Sequence, residues 1–236
     1  MFLHFLSEDR EKEFFLKFAY LLAVAEPDVP MEAIPVHNYV DDPEERKFAF
    51  EAFAPGFSME ISELLMLRNF AKEVGLEWNT VSAASSAPAA SSYLSSLILP
   101  HIAFPCFPPR YEFACDDLSS SENLKQVAQK DSVPQMLATA CRFHKDADRS
   151  AVLLTVLTAI FGQVDARTFA VEKRKAILME ATAIAYADGT YSPWEDELLQ
   201  LYCEYCRLDK VILSEFKGIT KEFAKAYQKA IELITE

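Results

Sequence analysis

An all-α fold is predicted for this chain of 236 residues by three observations. Only five glycines are present, whereas the tight hairpin turns of β proteins favour glycine. Apolar residues recur at helical spacing in several segments. The chain is 51% hydrophobic, so it can bury a substantial core, and its length allows one or two domains.

Two helices are predicted in the first third of the chain. Residues 11–26 are apolar around nearly the whole helical circumference after Phe14, which is typical of a helix at the centre of a domain. Pro27 ends this helix. Residues 60–74 place their apolar side chains largely on one face, and Gly75 follows as the expected C-cap.

Two irregular insertions are predicted, at residues 30–59 and 78–120. The first contains several prolines. The second begins as a Ser- and Ala-rich connection and continues as a strap rich in proline and aromatic residues. Such a strap either docks on a partner protein or packs on its own domain, and long insertions are often functional. The candidate partner-binding residues are Phe104, Phe107, Arg110 and Tyr111.

Helices resume in the second half of the chain. Middle helices are expected over residues 121–165, followed by a strongly apolar helix that ends before Asp188. The sequence from Ser192 to Glu195 has the pattern of a capping box with proline at the first helical position. Beyond it, we expect a final amphipathic helix over 220–235 that begins at Thr220, after a short turn capped by Ser214.

An internal repeat is predicted from two alignments without gaps. Residues 15–26 align with residues 177–188, and both segments are apolar helices that end in an acidic residue. Residues 63–77 align with residues 195–209, and both are amphipathic and end in a Leu-acid step. Because the offsets differ, the first copy carries about thirty extra residues between its helices.

The second copy resembles the tellurite-resistance TerB family. The resemblance rests on Ala185-Tyr-Ala-Asp188-Gly189, on Ser192-Pro193 and Glu195, and on a closing Leu208-Asp209. It implies one all-helical domain over residues 1–236, in which middle helices separate two helix pairs. The first pair would span residues 10–77 and the second 171–209. The first pair departs from the family pattern, because it has Glu26-Pro27-Asp28 where Ala-Asp-Gly is usual.

An acidic site is the main chemical candidate. Converging carboxylates with no basic neighbour favour a hard cation such as Ca²⁺ or Mg²⁺, and the resemblance implies the same, since TerB-type proteins have been linked to divalent metals. The alternative is purely structural, because carboxylates also cap helices and stabilise their N-termini. An EF-hand is excluded, because the alternate ligand positions after Asp188 are not acidic. The candidate ligands are Asp188, Glu195, Glu26 and Glu63.

Other chemistries are disfavoured. The net charge of -13 opposes nucleic-acid binding and anionic membranes. Cys203 and Cys206 lie three apart on an amphipathic helix, which favours core packing over a zinc or redox site. No glycine-rich phosphate loop is present, so a nucleotide enzyme is not expected.

The sequence therefore predicts a non-enzymatic protein. The five scattered cysteines and the absence of a signal-peptide pattern favour a cytoplasmic location without a transmembrane segment. We expect an interaction or scaffold module of TerB type with a protein partner in a larger assembly. The alternative is a metal-responsive stress protein that works through the acidic site.

Overall fold

The computed structural model describes residues 2–25, 57, 61–76, 122–144, 149–187, 189 and 191–235. Every regular element in these ranges is helical, so the predicted all-α class is confirmed. The predicted insertions lie almost entirely outside the described residues, as do the candidates in the strap. The α-helices are α1 (Asp9–Ala23), α2 (Ile61–Val74), α3 (Glu122–Ala128), α4 (Val133–Phe143), α5 (Arg149–Gln163), α6 (Val171–Ile184), α7 (Pro193–Tyr205) and α8 (Lys210–Thr235). Short 3₁₀ helices cover Leu3–Phe5 and Ala166–Thr168.

Helix α1 lies at the centre of the fold, as its apolar circumference predicts. It packs against α2, α4, α5 and α6, and all its residues from Phe18 onward are buried. The helix begins two residues before the predicted start, because Glu8 and Glu11 form a capping box around its first turn. Its C-terminal end is fixed by Arg149, which donates hydrogen bonds to the carbonyls of Val24 and Ala25, both at 2.9 Å.

The middle helices α3, α4 and α5 pack against one another within the range predicted for them. Gln163 joins this group to α1 at the end of α5. Its Nε2 donates to the carbonyls of Ala128 and Lys130 at 2.8 and 2.9 Å, and its Oε1 accepts from Lys17 Nζ at 2.9 Å. One side chain therefore satisfies two carbonyls at the C-terminal end of α3 and also binds the partly buried lysine of α1.

An aromatic cluster connects α1, α5 and α7. The rings of Phe161 and Tyr205 stack with their centroids 4.0 Å apart, and those of Phe18 and Tyr202 stack at 4.9 Å. Phe14 lies between the two stacks, 6.1 Å from Phe161. The tyrosine hydroxyls donate to backbone carbonyls, so these polar groups are satisfied within the core.

The two helix pairs share local geometry at aligned positions. Gly75 and Arg207, which the alignment pairs, follow α2 and α7 with left-handed φ values of 75° and 54°. In each case the next residue donates its N–H to a carbonyl five residues back, at 2.9 Å after α2 and 2.8 Å after α7. This is the Schellman ending, so Gly75 has the predicted C-cap role. The internal repeat stays a prediction with which this shared geometry agrees, and the relation to the TerB family stays a prediction that the helix endings do not test.

The first helices of the two pairs also correspond. Extending the first alignment toward the N-terminus pairs Asp9 with Val171, which are the first residues of α1 and α6. A 3₁₀ helix stands a few residues before each of them. The same extension pairs Glu11 with Lys173, whose side chains form a salt bridge of 2.6 Å between α1 and α6. The two helices therefore meet at equivalent positions.

The predicted start of the C-terminal helix is wrong. Helix α8 begins at Lys210 and passes through Ser214 and Thr220 without interruption. The carboxylate of Asp209 accepts a hydrogen bond from the N–H of Val211 at 2.9 Å and so caps the helix earlier than predicted. Leu213 is buried against the body, which holds this first part in place. None of the described helices is long and apolar enough to cross a membrane.

Candidate functional site

Two of the four predicted acidic residues lie in the described part of the chain. Glu195 is in the first turn of α7 and is 2% exposed, and Glu63 is in the first turn of α2 and is 4% exposed. They occupy aligned positions of the two helix pairs. Asp188 and Glu26 lie outside the described residues, so whether the four carboxylates converge stays a prediction.

Glu195 forms the predicted capping box. The N–H of Ser192 donates to Glu195 Oε2 at 2.8 Å, and the N–H of Glu195 donates to Ser192 Oγ at 3.3 Å. Pro193 occupies the first helical position, where it costs no hydrogen bond. One carboxylate oxygen is therefore committed to the start of α7, which supports the structural alternative for this residue.

A polar and aromatic cluster that no sequence motif indicates lies beside this turn. The rings of Tyr186 and Tyr191 stack at 4.8 Å. Asp196 accepts hydrogen bonds from Tyr191 Oη at 2.9 Å, from Gln200 Nε2 at 2.8 Å and from Lys217 Nζ. Lys217 belongs to α8, so the cluster fastens the last helix to the turn that precedes α7.

The ionisation of this cluster follows from its contacts. Burial acts to raise the pKa of Asp196, but the hydrogen bonds from Lys217 and Tyr191 outweigh it and hold that pKa below its ordinary value. Burial, together with the bond to Asp196, raises the pKa of Tyr191. The Asp196 carboxylate is thus already hydrogen-bonded by contacts that include one between α7 and α8. It is therefore not available as a further metal ligand beside Glu195.

The described side chains give little support for a metal site. Within the described ranges, no group of three or more His, Cys, Asp or Glu side chains is placed to hold a metal ion. Cys203 and Cys206 are buried in α7, and burial raises the pKa of each thiol to about 12. Because metals bind the thiolate, this agrees with the core role predicted for both cysteines.

The exposed face of α8 is a second candidate site. Phe223 is 69% exposed and Ile219, one turn earlier, is 44% exposed. These two side chains are hereafter the α8 patch. Thr220, between them in sequence, is buried against the body, whereas five of the six residues from 221 to 226 are exposed. The helix therefore carries apolar side chains beyond the part that packs on α6 and α7.

The predicted partner-binding residues of the strap lie outside the described part of the chain, so their role stays a prediction. The sequence pattern places Phe223 on the amphipathic helix but does not show that it is exposed. By helical periodicity, Phe223 falls on the same face as side chains that pack on the body. Its exposure depends on where along α8 that packing ends, which periodicity does not show. No family model, curated protein or solved structure matches the chain.

Proposed function

We propose that this chain is a non-enzymatic protein-interaction module of a larger assembly, and that the α8 patch is its binding surface. The observation that carries the proposal is the exposure of Phe223 on an ordered helix. Large aromatic side chains are depleted from ordinary surfaces and are enriched among the residues that dominate binding energy. Val211, also on α8, is 59% exposed and extends the apolar character of the helix toward its start.

The position of the patch also supports a role in recognition. Leu213 buries the first part of α8 in the body, and the bond from Lys217 to Asp196 fixes the following turn. The patch follows directly after these anchors. A partner would therefore meet apolar side chains whose backbone is already ordered, which lowers the entropic cost of binding.

A photo-crosslinking amino acid at position 223 tests this proposal in cells. We expect a defined adduct between the chain and a partner protein, because the patch would lie within the interface. The same amino acid at Glu122, whose side chain is 72% exposed at the start of α3, is the matched control and should give no discrete adduct. Equal labelling at both positions, or no adduct at position 223, would contradict the proposal.

A second candidate function is cation sensing at the acidic turn, as in the metal-responsive alternative. The observation that favours it is that Glu63 and Glu195 are both buried carboxylates in the first turn of aligned helices. Carboxylate oxygens are the ligands that Ca²⁺ and Mg²⁺ prefer, and one oxygen of Glu195 already accepts a hydrogen bond from the N–H of Ser192.

Two substitutions of Glu195 separate a cation site from a helix cap. If the carboxylate only caps α7, Glu195→Gln keeps an acceptor for Ser192 N–H and should change stability little, whereas Glu195→Ala should cost about 1 to 2 kcal/mol. The midpoint of thermal unfolding of the wild type should then be unchanged by millimolar Ca²⁺ or Mg²⁺. A midpoint that rises with either cation, and does so less in Glu195→Gln, would instead support the cation site.

A further inference from the structure

Residues 2–7, hereafter the N-terminal segment, lie against α2 and α6. The short 3₁₀ helix of this segment packs on both helices, and the side chains of Leu3 and Leu6 are only 2% and 3% exposed. The side chain of His4, between them, is exposed. The segment is therefore held to the body by two apolar side chains and by the polar contacts at its two ends.

The two ends of the N-terminal segment are fastened in different ways. At the C-terminal end, Ser7 Oγ accepts a hydrogen bond from Lys173 Nζ at 3.0 Å, and the N–H of Ser7 donates to Glu11 at 3.0 Å. Glu11 and Lys173 form a salt bridge, so the buried carboxylate at this end is paired with a cation. At the other end, the N–H of Phe2 donates to the buried carboxylate of Glu180 on α6.

The surroundings of Glu180 favour its neutral form. Among the residues that the structure describes, Glu180 forms no salt bridge with a lysine or arginine side chain. Burial raises the pKa of Glu180 above its ordinary value, and the negative charge of Glu73, near the end of α2, adds to the increase. The hydrogen bond from Phe2 and the positive charge of the amino terminus oppose this increase without cancelling it. Because Phe2 lies directly on the carboxylate, release of the N-terminal segment would open Glu180 to water.

We propose that the N-terminal segment is a pH-sensitive latch, which pivots at Ser7 and opens at Phe2 more readily when Glu180 is ionised. Release hydrates the carboxylate, so its pKa falls toward the ordinary value. Docking of the segment is therefore strongest at low pH, and part of its stability is lost as the pH rises through the raised pKa. Each pKa unit of difference changes the opening equilibrium about tenfold. The latch does not involve the α8 patch, so it holds or fails independently of the proposed function.

Amide hydrogen exchange of the full chain, measured by NMR, tests the latch. The N–H of Leu6 donates to the carbonyl of Leu3 at 2.9 Å, so its protection from exchange reports closure of the N-terminal segment. Between about pH 4 and 6.5, where an amino terminus keeps its charge, the protection factor of Leu6 should fall and then level off. The N–H of Val24, which is bonded to the carbonyl of Tyr20 in α1, reports on the body and should not follow this fall.

Three substitutions separate Glu180 from other sources of pH dependence. Glu180→Gln keeps an acceptor for the N–H of Phe2 but removes the titrating group, so the protection of the segment should no longer depend on pH. Glu73→Gln removes the neighbouring negative charge, so the fall in protection should move to lower pH. His4→Gln is the matched control, because His4 is the other titratable side chain of the segment but is exposed, and it should leave the fall unchanged.

Direct titration of the Glu180 carboxyl carbon by NMR completes the test. The pKa of Glu180 should lie above its ordinary value in the wild type and should be lower in Glu73→Gln. A wild-type pKa at or below the ordinary value would overturn the proposal. It would also be overturned by protection of Leu6 that stays constant with pH, by a fall that persists in Glu180→Gln, or by a fall that disappears in His4→Gln.

Discussion

Replacing Phe161 with alanine is expected to lower the free energy of unfolding by about 3 to 5 kcal/mol. The ring is fully buried in α5, stacks on Tyr205 at 4.0 Å and lies 6.1 Å from Phe14, so its removal leaves a cavity where three helices meet. Domains are typically stable by only about 5 to 15 kcal/mol, so this is a large fraction of the total. Urea unfolding followed by far-ultraviolet circular dichroism measures the change.

The matched control for this prediction is Phe223→Ala. It makes the same chemical change on a side chain that is 69% exposed, and it should alter stability by no more than about 0.5 kcal/mol. If the two variants lose similar stability, the aromatic cluster is not the centre of the core. If Phe223→Ala is the more damaging of the two, Phe223 is buried in the folded protein and the α8 patch is not available to a partner.

The parts of the fold that the sequence predicted correctly depend on local interactions. Ser192, Pro193 and Glu195 specify a capping box within four residues, and the structure has that box. Gly75 marks the end of α2 because a left-handed residue is needed there. The central position of α1 follows from its apolar circumference, which no exposed helix can have in water.

The start of α8 shows where local patterns are insufficient. Ser214 and Thr220 are residues that often cap helices, but they also occur inside them, and Asp209 caps α8 instead. The choice depends on packing, because Leu213 precedes both candidate caps and is itself buried against the body, which holds the first turn of α8 in place. A pattern of capping residues cannot show which of several candidates the tertiary structure uses.

The polar contacts between helices also cannot be predicted from local sequence patterns. Glu180 lies on the apolar helix α6, yet it is buried, accepts a hydrogen bond from the N–H of Phe2 and has a pKa raised by burial. Asp196 is satisfied by Lys217, which is 21 residues away. Such pairs are determined by which helices become neighbours. The same reason explains why aligned positions for Glu63 and Glu195 do not by themselves establish a shared site.

The salt bridge between Glu11 and Lys173 is expected to contribute substantially to the stability of the fold. Glu11 is buried, and its carboxylate accepts from the N–H groups of Ser7 and Glu8 at 3.0 Å as well as from Lys173. Burial acts to raise the pKa of Glu11, but the bonds from Lys173 and the backbone outweigh it and hold that pKa below its ordinary value. A lowered folded-state pKa stabilises the fold above the unfolded value, and this stability is lost as the pH falls through the folded value.

Lys173→Met is therefore expected to destabilise the protein by about 2 kcal/mol at neutral pH, because it leaves the Glu11 carboxylate buried without its cation. The difference from the wild type should shrink as the pH falls through the lowered pKa of Glu11, because protonation removes the charge that Lys173 compensates. Urea unfolding at several pH values measures this difference. Lys175→Met, an exposed lysine two residues later on α6, should have almost no effect at any pH. Equal effects of the two substitutions, or a Lys173→Met effect that does not change with pH, would show that α1 and α6 are held by apolar packing alone.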